Sequence, residues 1–527
     1  MKKNINFIFF LLSFNSLVLC EVYDQNSKIN LILNYLEGGN FNQAEKIIND
    51  EKDDNFKTYF YSIYHLYKGD YVLAEEYIKK IQNGHRNYFF FDYIIKINNI
   101  INTYEAHESQ HFKVFLKGRD VILKDFILEN LEKIYDIYGK IFNYYPEEKI
   151  RVEVYNTKQE FYFATTLGEE IVKKSGVVGI CKFNKIMIIS PENLPLGYRW
   201  IDTLAHEYIH FILNRKTSYN YPLYLHEGTA RYFDTIYRSS FPMCFTAGNL
   251  KLLVEAKKNN KLINFDEMKG SLVYLDTIDK IELAFVELAS FVEFLVKNFG
   301  IEKFVKFIEE YDSKNEKKLY KEIFGKEYEE IKLLWIKTID EKEKYITLYP
   351  GALADLKINT ATDESSLIGL DLENYIKLGD KFLSLKNYKS ALFQYNKAKE
   401  IEPYNPVVLS RIGKIYLLMQ KYDECEEILK KCILVNPNFV TAYEILLKNY
   451  YEKGDYEKVL EVFKSVIEIN PFNYEIRKIV AEIYADLGKT KEALEEYKIV
   501  KVLQPQNKEV DSIINSLENY LKIKYRK

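Results

Sequence analysis

Four prolines, Pro403, Pro437, Pro471 and Pro505, stand 34 residues apart in the last third of the chain. No other feature restricts the fold so tightly. Tyr388, Tyr422 and Tyr456 keep the same interval, as do Tyr416, Tyr450 and Tyr484, and Ala391, Cys425, Val459 and Ala493. A fixed period of this length marks a stacked array, in which each unit buries its apolar face only against its neighbours. Each unit reads as a helix, a short turn ("LKNYKSAL", "QKYDECEE", "KGDYEKVL", "LGKTKEAL"), a second helix and a proline stop. The small or modest apolar residue after the turn lets the paired helices approach, and proline ends the second helix because it lacks a backbone donor. Four units cover 374–509, and "DSIINSLENYLKIKY" is expected to cap the open end.

The pattern resembles the tetratricopeptide repeat, a 34-residue helical hairpin, and that resemblance implies a protein partner held on a concave face. A weaker echo lies near the N-terminus. "YLEGGNFNQAEKII" and "YHLYKGDYVLAEEYI" align Phe41 with Tyr71 and Ala44 with Ala74 at an offset of 30. Residues 21–105 are expected to be helical, as degenerate repeats of the same kind rather than a plain helical bundle. Over 106–349 the pattern changes. "HFKVFL", "KIRVEVY" and "ICKFNKIMIIS" alternate as strands, while "DFILENLEKIYDIYGKIFN" has helical periodicity. Residues 350–370, rich in Gly, Thr, Ser and Asp, read as a linker, and 371–527 as the array with its capping helix. The expected architecture is therefore mostly α with one α+β domain between helical arrays.

Charge narrows the partners. The chain carries 74 Lys and Arg against 77 Asp and Glu, for a net charge of −3. This balance excludes nucleic acid as an expected partner. The first twenty residues, "MKKNINFIFFLLSFNSLVLC", have two lysines and then a short apolar run, the layout of a secretory signal. Polar Asn6, Ser13, Asn15 and Ser16 interrupt the run, so it does not read as a membrane span. Export to the periplasm, cell envelope or medium is expected. Cys20 leaves two endings open: a lipidated cysteine that tethers the chain to a membrane, or an ordinary cut after it. Cys425 and Cys432 lie seven apart in one predicted helix, about 10 Å along its axis, which is too far for a disulfide.

The chemistry is concentrated at 204–227. His206, His210 and His226 are three of only seven histidines in the chain. In "WIDTLAHEYIHFIL", Ile201, Leu204, Ala205, Tyr208, Ile212 and Leu213 supply a buried helical face. His206 and His210, one turn apart, converge on a single tetrahedral ion. Glu207, rotated by about 100°, lies beside that ion as a base rather than on it. Two histidines at this spacing point to zinc, one ion per chain, which needs a third protein ligand. "PLYLHEGTARYF", shortly after His210, offers a third ligand, either His226 or Glu227.

"HEYIH" followed by "YLHEGTARYF" resembles the gluzincin metallopeptidases, and in particular the peptidase MA-like domain, over about 106–340. The resemblance implies that His206, His210 and Glu227 hold the zinc and that Glu207 is the catalytic base. It further implies a hydrolase cutting peptide bonds of protein or peptide substrates. Tyr224 stands where the family motif has tryptophan, and Phe285 where members often carry an oxyanion-stabilising tyrosine; Tyr274 and Tyr232 are the replacements considered. No Gly-x-Met-Glu-Asn segment grips a free N-terminus, which favours endopeptidase action. An edge strand at about 185–190 is expected to pair with extended substrate. The alternative is an inactive, peptidase-like repeat scaffold or a chaperone-like factor of the cell envelope.

Overall fold

The computed structural model describes residues 23–524, apart from 82–88, 218–220, 240–241, 244, 269–271, 273–274, 312–314, 345–347, 350–351, 354–357, 359–360 and 362. The signal segment, Cys20 and Tyr274 fall outside the described residues. No described helix is long and apolar enough to cross a membrane.

The 30-residue echo folds as two helical hairpins, α1 (Tyr23–Glu37) with α2 (Phe41–Asn49) and α3 (Asp54–Tyr67) with α4 (Tyr71–Lys79). Phe41, Ala44, Tyr71 and Ala74 are all buried, as their alignment requires. Gly39 and Gly69 make the two turns with left-handed backbone, φ 70° and 75°, where a side chain would be strained. The run "FFFDYIIKI" follows within α5 (Phe89–Ile101), which buries Phe90, Tyr93, Ile94 and Ile97.

Five strands come next: β1 (Glu105–Glu108), β2 (Phe112–Leu116), β3 (Ile150–Tyr155), β4 (Gly179–Lys182) and β5 (Lys185–Ile189). Their spatial order is β1-β2-β3-β5-β4. The three central strands are parallel, and β1 and β4 run antiparallel at the two edges. The parallel step from β2 to β3 is bridged by α6 (Lys124–Phe142), the predicted "DFILENLEKIYDIYGKIF" helix. "ICKFNKIMIIS" is a hairpin rather than one strand. Phe183 and Asn184 turn the chain with φ 55° and 56°, the type I′ geometry that suits a two-residue connection. Phe183 is only 2% exposed, boxed by the rings of Tyr67, Phe90 and Tyr93. This corrects the edge-strand expectation: residues 185–189 form an interior strand, and the free edge is Gly179–Lys182.

At the centre of the sheet the buried Glu153 carboxylate accepts four hydrogen bonds. Tyr71 OH and Arg151 Nε reach Oε1, and Tyr155 OH and Lys185 Nζ reach Oε2, all at 2.5–2.7 Å. Tyr71 belongs to the N-terminal hairpins, so this cluster ties them to the sheet. Helices α7 (Lys158–Thr165) to α15 (Tyr328–Thr338) complete the middle domain. They include α9 (Trp200–Lys216), α10 (Leu223–Phe233) and α12 (Ile278–Phe299), and share one continuous core with the hairpins.

The array consists of α16 (Leu370–Ser384) to α23 (Thr490–Leu503) in four hairpins, with α24 (Lys508–Lys524) packed on the last. The period shows in its turns: Lys386, Gln420, Gly454 and Gly488, each 34 apart, are all left-handed. Gly379 and Gly413 let paired helices close, since a Cβ at either would lie 2.5 or 2.6 Å from Tyr395 or Leu429. The array is docked on the middle domain. Arg199 Nη1 pairs with Glu468 at 2.7 Å, its Nη2 donates to the Pro437 carbonyl, and Trp200 Nε1 donates to the Ile467 carbonyl. Part of the predicted linker is ordered on the array as well: Glu364 accepts from Arg411 at 2.9 Å and from Thr441 at 2.7 Å.

Candidate metal centre

Helix α9 begins at the array interface with Trp200 and runs beneath the sheet. Trp200, Ile201, Leu204, Ala205, Tyr208, Ile209, Ile212 and Leu213 are all at most 1% exposed. The apolar face expected from the sequence is therefore present and fixes the rotation of the helix. Its other side carries His206 and His210, with ring planes 77° apart and Nε2 atoms 3.2 Å from each other.

Helix α10 brings the third group. Glu227 Oε2 lies 3.4 Å from His206 Nε2 and 3.5 Å from His210 Nε2. Donors about 2.1 Å from a tetrahedral ion sit about 3.4 Å from one another, so these three atoms have the mutual spacing of a zinc ligand set. Two imidazoles and a carboxylate also fit zinc chemically. His206, His210 and Glu227 are the group of His, Cys, Asp and Glu side chains among the described residues that meets this test.

His226 takes a different place. Its Nδ1 lies 3.3 Å from Nδ1 of His210, on the far side of that ring from Nε2. Burial, with His210 adding to it, pushes His226 down to about 3, which keeps it neutral. The 100° step between neighbouring helical residues separates the two roles.

Asp234 is the residue that sequence reasoning passed over. Its Oδ2 lies 3.5 Å from His206 Nδ1 and 3.3 Å from Arg231, and its side chain is 3% exposed. A carboxylate behind a ligating imidazole fixes tautomer and ring orientation. The signal was available: Asp234 is seven residues after Glu227, two turns along the same helical face. Burial opposes a charge on His206, but Asp234 and Glu227 outweigh it and raise the imidazole to about 10. Against the same burial, His210 and His206 hold Glu227 well below the usual carboxylate range.

Glu207 sits under the edge strand. A Cβ at Gly179 would lie 3.0 Å from Glu207 Cγ and Oε1 and 2.5 Å from Thr203, so only glycine fits over this carboxylate. Burial raises the Glu207 carboxyl, offset in part by His210, His206 and the Cys181 backbone N–H.

Two further contacts hold the helices in register. Asp202 accepts Arg238 through both oxygens at 2.8 Å, and Tyr237 OH at 2.7 Å, which locks the start of α9 to the segment after α10. At Gly228 a Cβ would meet the Leu288 carbonyl oxygen at 2.8 Å, so the glycine after Glu227 permits close packing on α12. Tyr224 is buried, with its hydroxyl on Glu316. Tyr232 is buried edge-on against Phe233 and lies about 140° around α10 from Glu227.

A tetratricopeptide repeat family model matches residues 408–439. Among solved structures, the chain is similar to a crystal structure of MamA at 20% identity, covering 28% of this chain and 85% of that one, with a TM-score of 0.26. It is also similar to TTC0263, a thermophilic TPR protein in Thermus thermophilus, at 23% identity, 29% and 82% coverage and a TM-score of 0.24. With the 34-residue period and the stacked hairpins, the matched segment makes the C-terminal array one of tetratricopeptide repeats, modules that generally mediate protein–protein interaction.

Proposed function

We propose that the middle domain is a zinc-dependent peptidase, exported with the repeat arrays and acting on proteins or peptides that the arrays hold. The observation that carries this reading is the spacing of three donor atoms from two helices, 3.2, 3.4 and 3.5 Å apart, with Glu207 close enough to interact by charge with all three residues. A bound zinc ion supplies Lewis acidity, polarising a carbonyl and acidifying water. Glu207, held under β4 and raised by burial, takes a proton on its carboxylate and returns it to a leaving amine. Asp234 and His226 hold the His206 and His210 rings from behind. The outer edge of β4, at Gly179–Lys182, offers backbone groups to an extended chain.

The repeat match supports a second reading more directly than it supports a peptidase: a protein-interaction scaffold, or chaperone-like envelope factor, whose middle domain does not turn over. One paired experiment separates them. Zinc per chain and cleavage of casein and peptide mixtures are measured for the purified protein and for Glu207→Ala. Equal zinc with cleavage lost only in the variant supports the enzyme. Full zinc without cleavage by either form supports the scaffold. Neither form holding zinc removes the metal centre.

A further inference from the structure

Away from the metal centre, the N-terminal hairpins meet the middle domain over two arginines. Arg215, in the last turn of α9, donates Nη1 to the Gly39 carbonyl at 3.2 Å and Nη2 to Asn184 Oδ1 at 2.8 Å. Arg151, at the start of β3, donates Nη1 to the Gly69 carbonyl at 3.1 Å. Each glycine is the left-handed turn of a hairpin, and a Cβ there would run into the arginine, 1.5 Å from Arg215 Nη1 or 2.9 Å from Arg151 Cδ. The turns are shaped around the guanidinium groups.

A cavity of about 250 Å³ opens at this junction. Lys68, Lys149, Arg151 and Arg215 line it, and Glu148 is the one carboxylate among its lining residues. The partners of these cations leave charge to spare. Arg151 Nε is engaged by Glu153, Lys149 pairs with Glu108 at 2.7 Å, and Lys68 donates to the Tyr64 hydroxyl at 3.2 Å and lies over the Phe41 and Tyr64 rings, with no carboxylate paired to it among the described residues. Glu148 stands 3.8 Å from Arg215, beyond hydrogen-bond length, and its side chain is 64% exposed. Arg215 Nε is buried with no hydrogen-bond partner among the described residues. Burial outweighs Tyr144 and Glu148 and lowers the proton affinity of this guanidinium. A buried donor left unpaired is costly, and an oxyanion is the group that satisfies a guanidinium and an ammonium together.

We propose that this cavity binds a small phosphate-type oxyanion, held by Arg215, Arg151, Lys149 and Lys68. Two planar guanidinium groups and two ammonium groups from different elements line the cavity. That arrangement matches a tetrahedral anion with three or four acceptor oxygens better than a planar carboxylate. The bound anion would bridge the N-terminal hairpins to the helix that carries His206 and His210. The proposal is independent of zinc and of any peptidase activity.

The test is isothermal titration of the full chain with inorganic phosphate and with glycerol phosphate at constant ionic strength. The wild type is expected to show one saturable site. Lys68→Gln/Lys149→Gln, with both changes at exposed positions, and Arg215→Gln should each weaken it about tenfold or more, the worth of a charge-assisted hydrogen bond. Tighter binding of inorganic phosphate assigns the cavity to the free anion, and tighter binding of glycerol phosphate to a phosphoryl group on a small molecule. No saturable binding of either, or undiminished affinity in a lysine double variant that melts like the wild type, overturns the proposal. If Arg215→Gln fails to fold, the lysine variant decides.

Discussion

Replacing Glu153 by glutamine keeps the shape of the most heavily bonded side chain in the sheet and removes its charge. Glu153 is fully buried, and Lys185, 2.7 Å away, is 1% exposed. Burial alone would raise the Glu153 carboxyl, but Lys185 and Arg151 overcome it and hold it at about 2 instead of 4.5. That difference is worth about 3 kcal/mol in favour of the ionised form over a neutral one. An independent route gives the same scale: breaking a buried pair and stranding its partner costs about 3–5 kcal/mol. Glu153→Gln should therefore destabilise the middle domain by about 3 kcal/mol at pH 7. Because the folded pKa is depressed, the wild type holds this stability in full above pH 4.5 and loses it as the pH falls toward 2. The gap between wild type and variant should close over that window. Urea unfolding followed by tryptophan fluorescence reads this domain, since both tryptophans, Trp200 and Trp335, lie in it. Adding Lys185→Met, which removes the stranded cation, should recover much of the loss. A urea midpoint for Glu153→Gln equal to wild type, or a double variant as weak as the single one, would refute the reasoning.

Three further outcomes are expected. Asp234→Asn removes the carboxylate behind His206 and should weaken zinc binding by about 10–100-fold in competition with a chromophoric chelator, with folding intact; unchanged affinity would remove Asp234 from the centre. Gly179→Ala puts a methyl group 3.0 Å from Glu207 Oε1 and should cut peptide cleavage while zinc stoichiometry holds, so full cleavage would displace Glu207 from its assigned place. Asp120 is buried against Ser190, and burial, helped by Glu192, pushes it up to about 7 from 3.8. The folded chain thus keeps a proton that the unfolded chain releases near pH 4, and wild-type stability falls as the pH rises from 4 to 7. Asp120→Asn should match the wild type at pH 4 and exceed it at pH 8 by up to about 4 kcal/mol in melting or urea experiments, whereas equal stability at both pH values would contradict the assignment.

The sequence alone determined whatever repeats along the chain or along one helix. The 34-residue period specified the array, because each unit can bury its face only against the next. The i, i+4 spacing of His206 and His210 on an apolar-backed helix placed two rings together by local geometry. Even Asp234 was legible in principle, at i+7 from Glu227. Tertiary structure decided whatever joins distant segments. Whether Glu227 or His226 meets both Nε2 atoms depended on how α10 crosses α9, while Gly228 lets α10 pack closely against α12 at Leu288. The edge strand was misplaced because a two-residue turn at Phe183 and Asn184 leaves no mark in an alternating pattern, yet it reverses the chain and moves the edge to Gly179. The seat of Arg199 on Glu468 and Pro437, and the arginines cradled by Gly39 and Gly69, arise from elements up to 269 residues apart. Periodicity carries no information about such contacts, because only the packed core brings those charges within reach of one another.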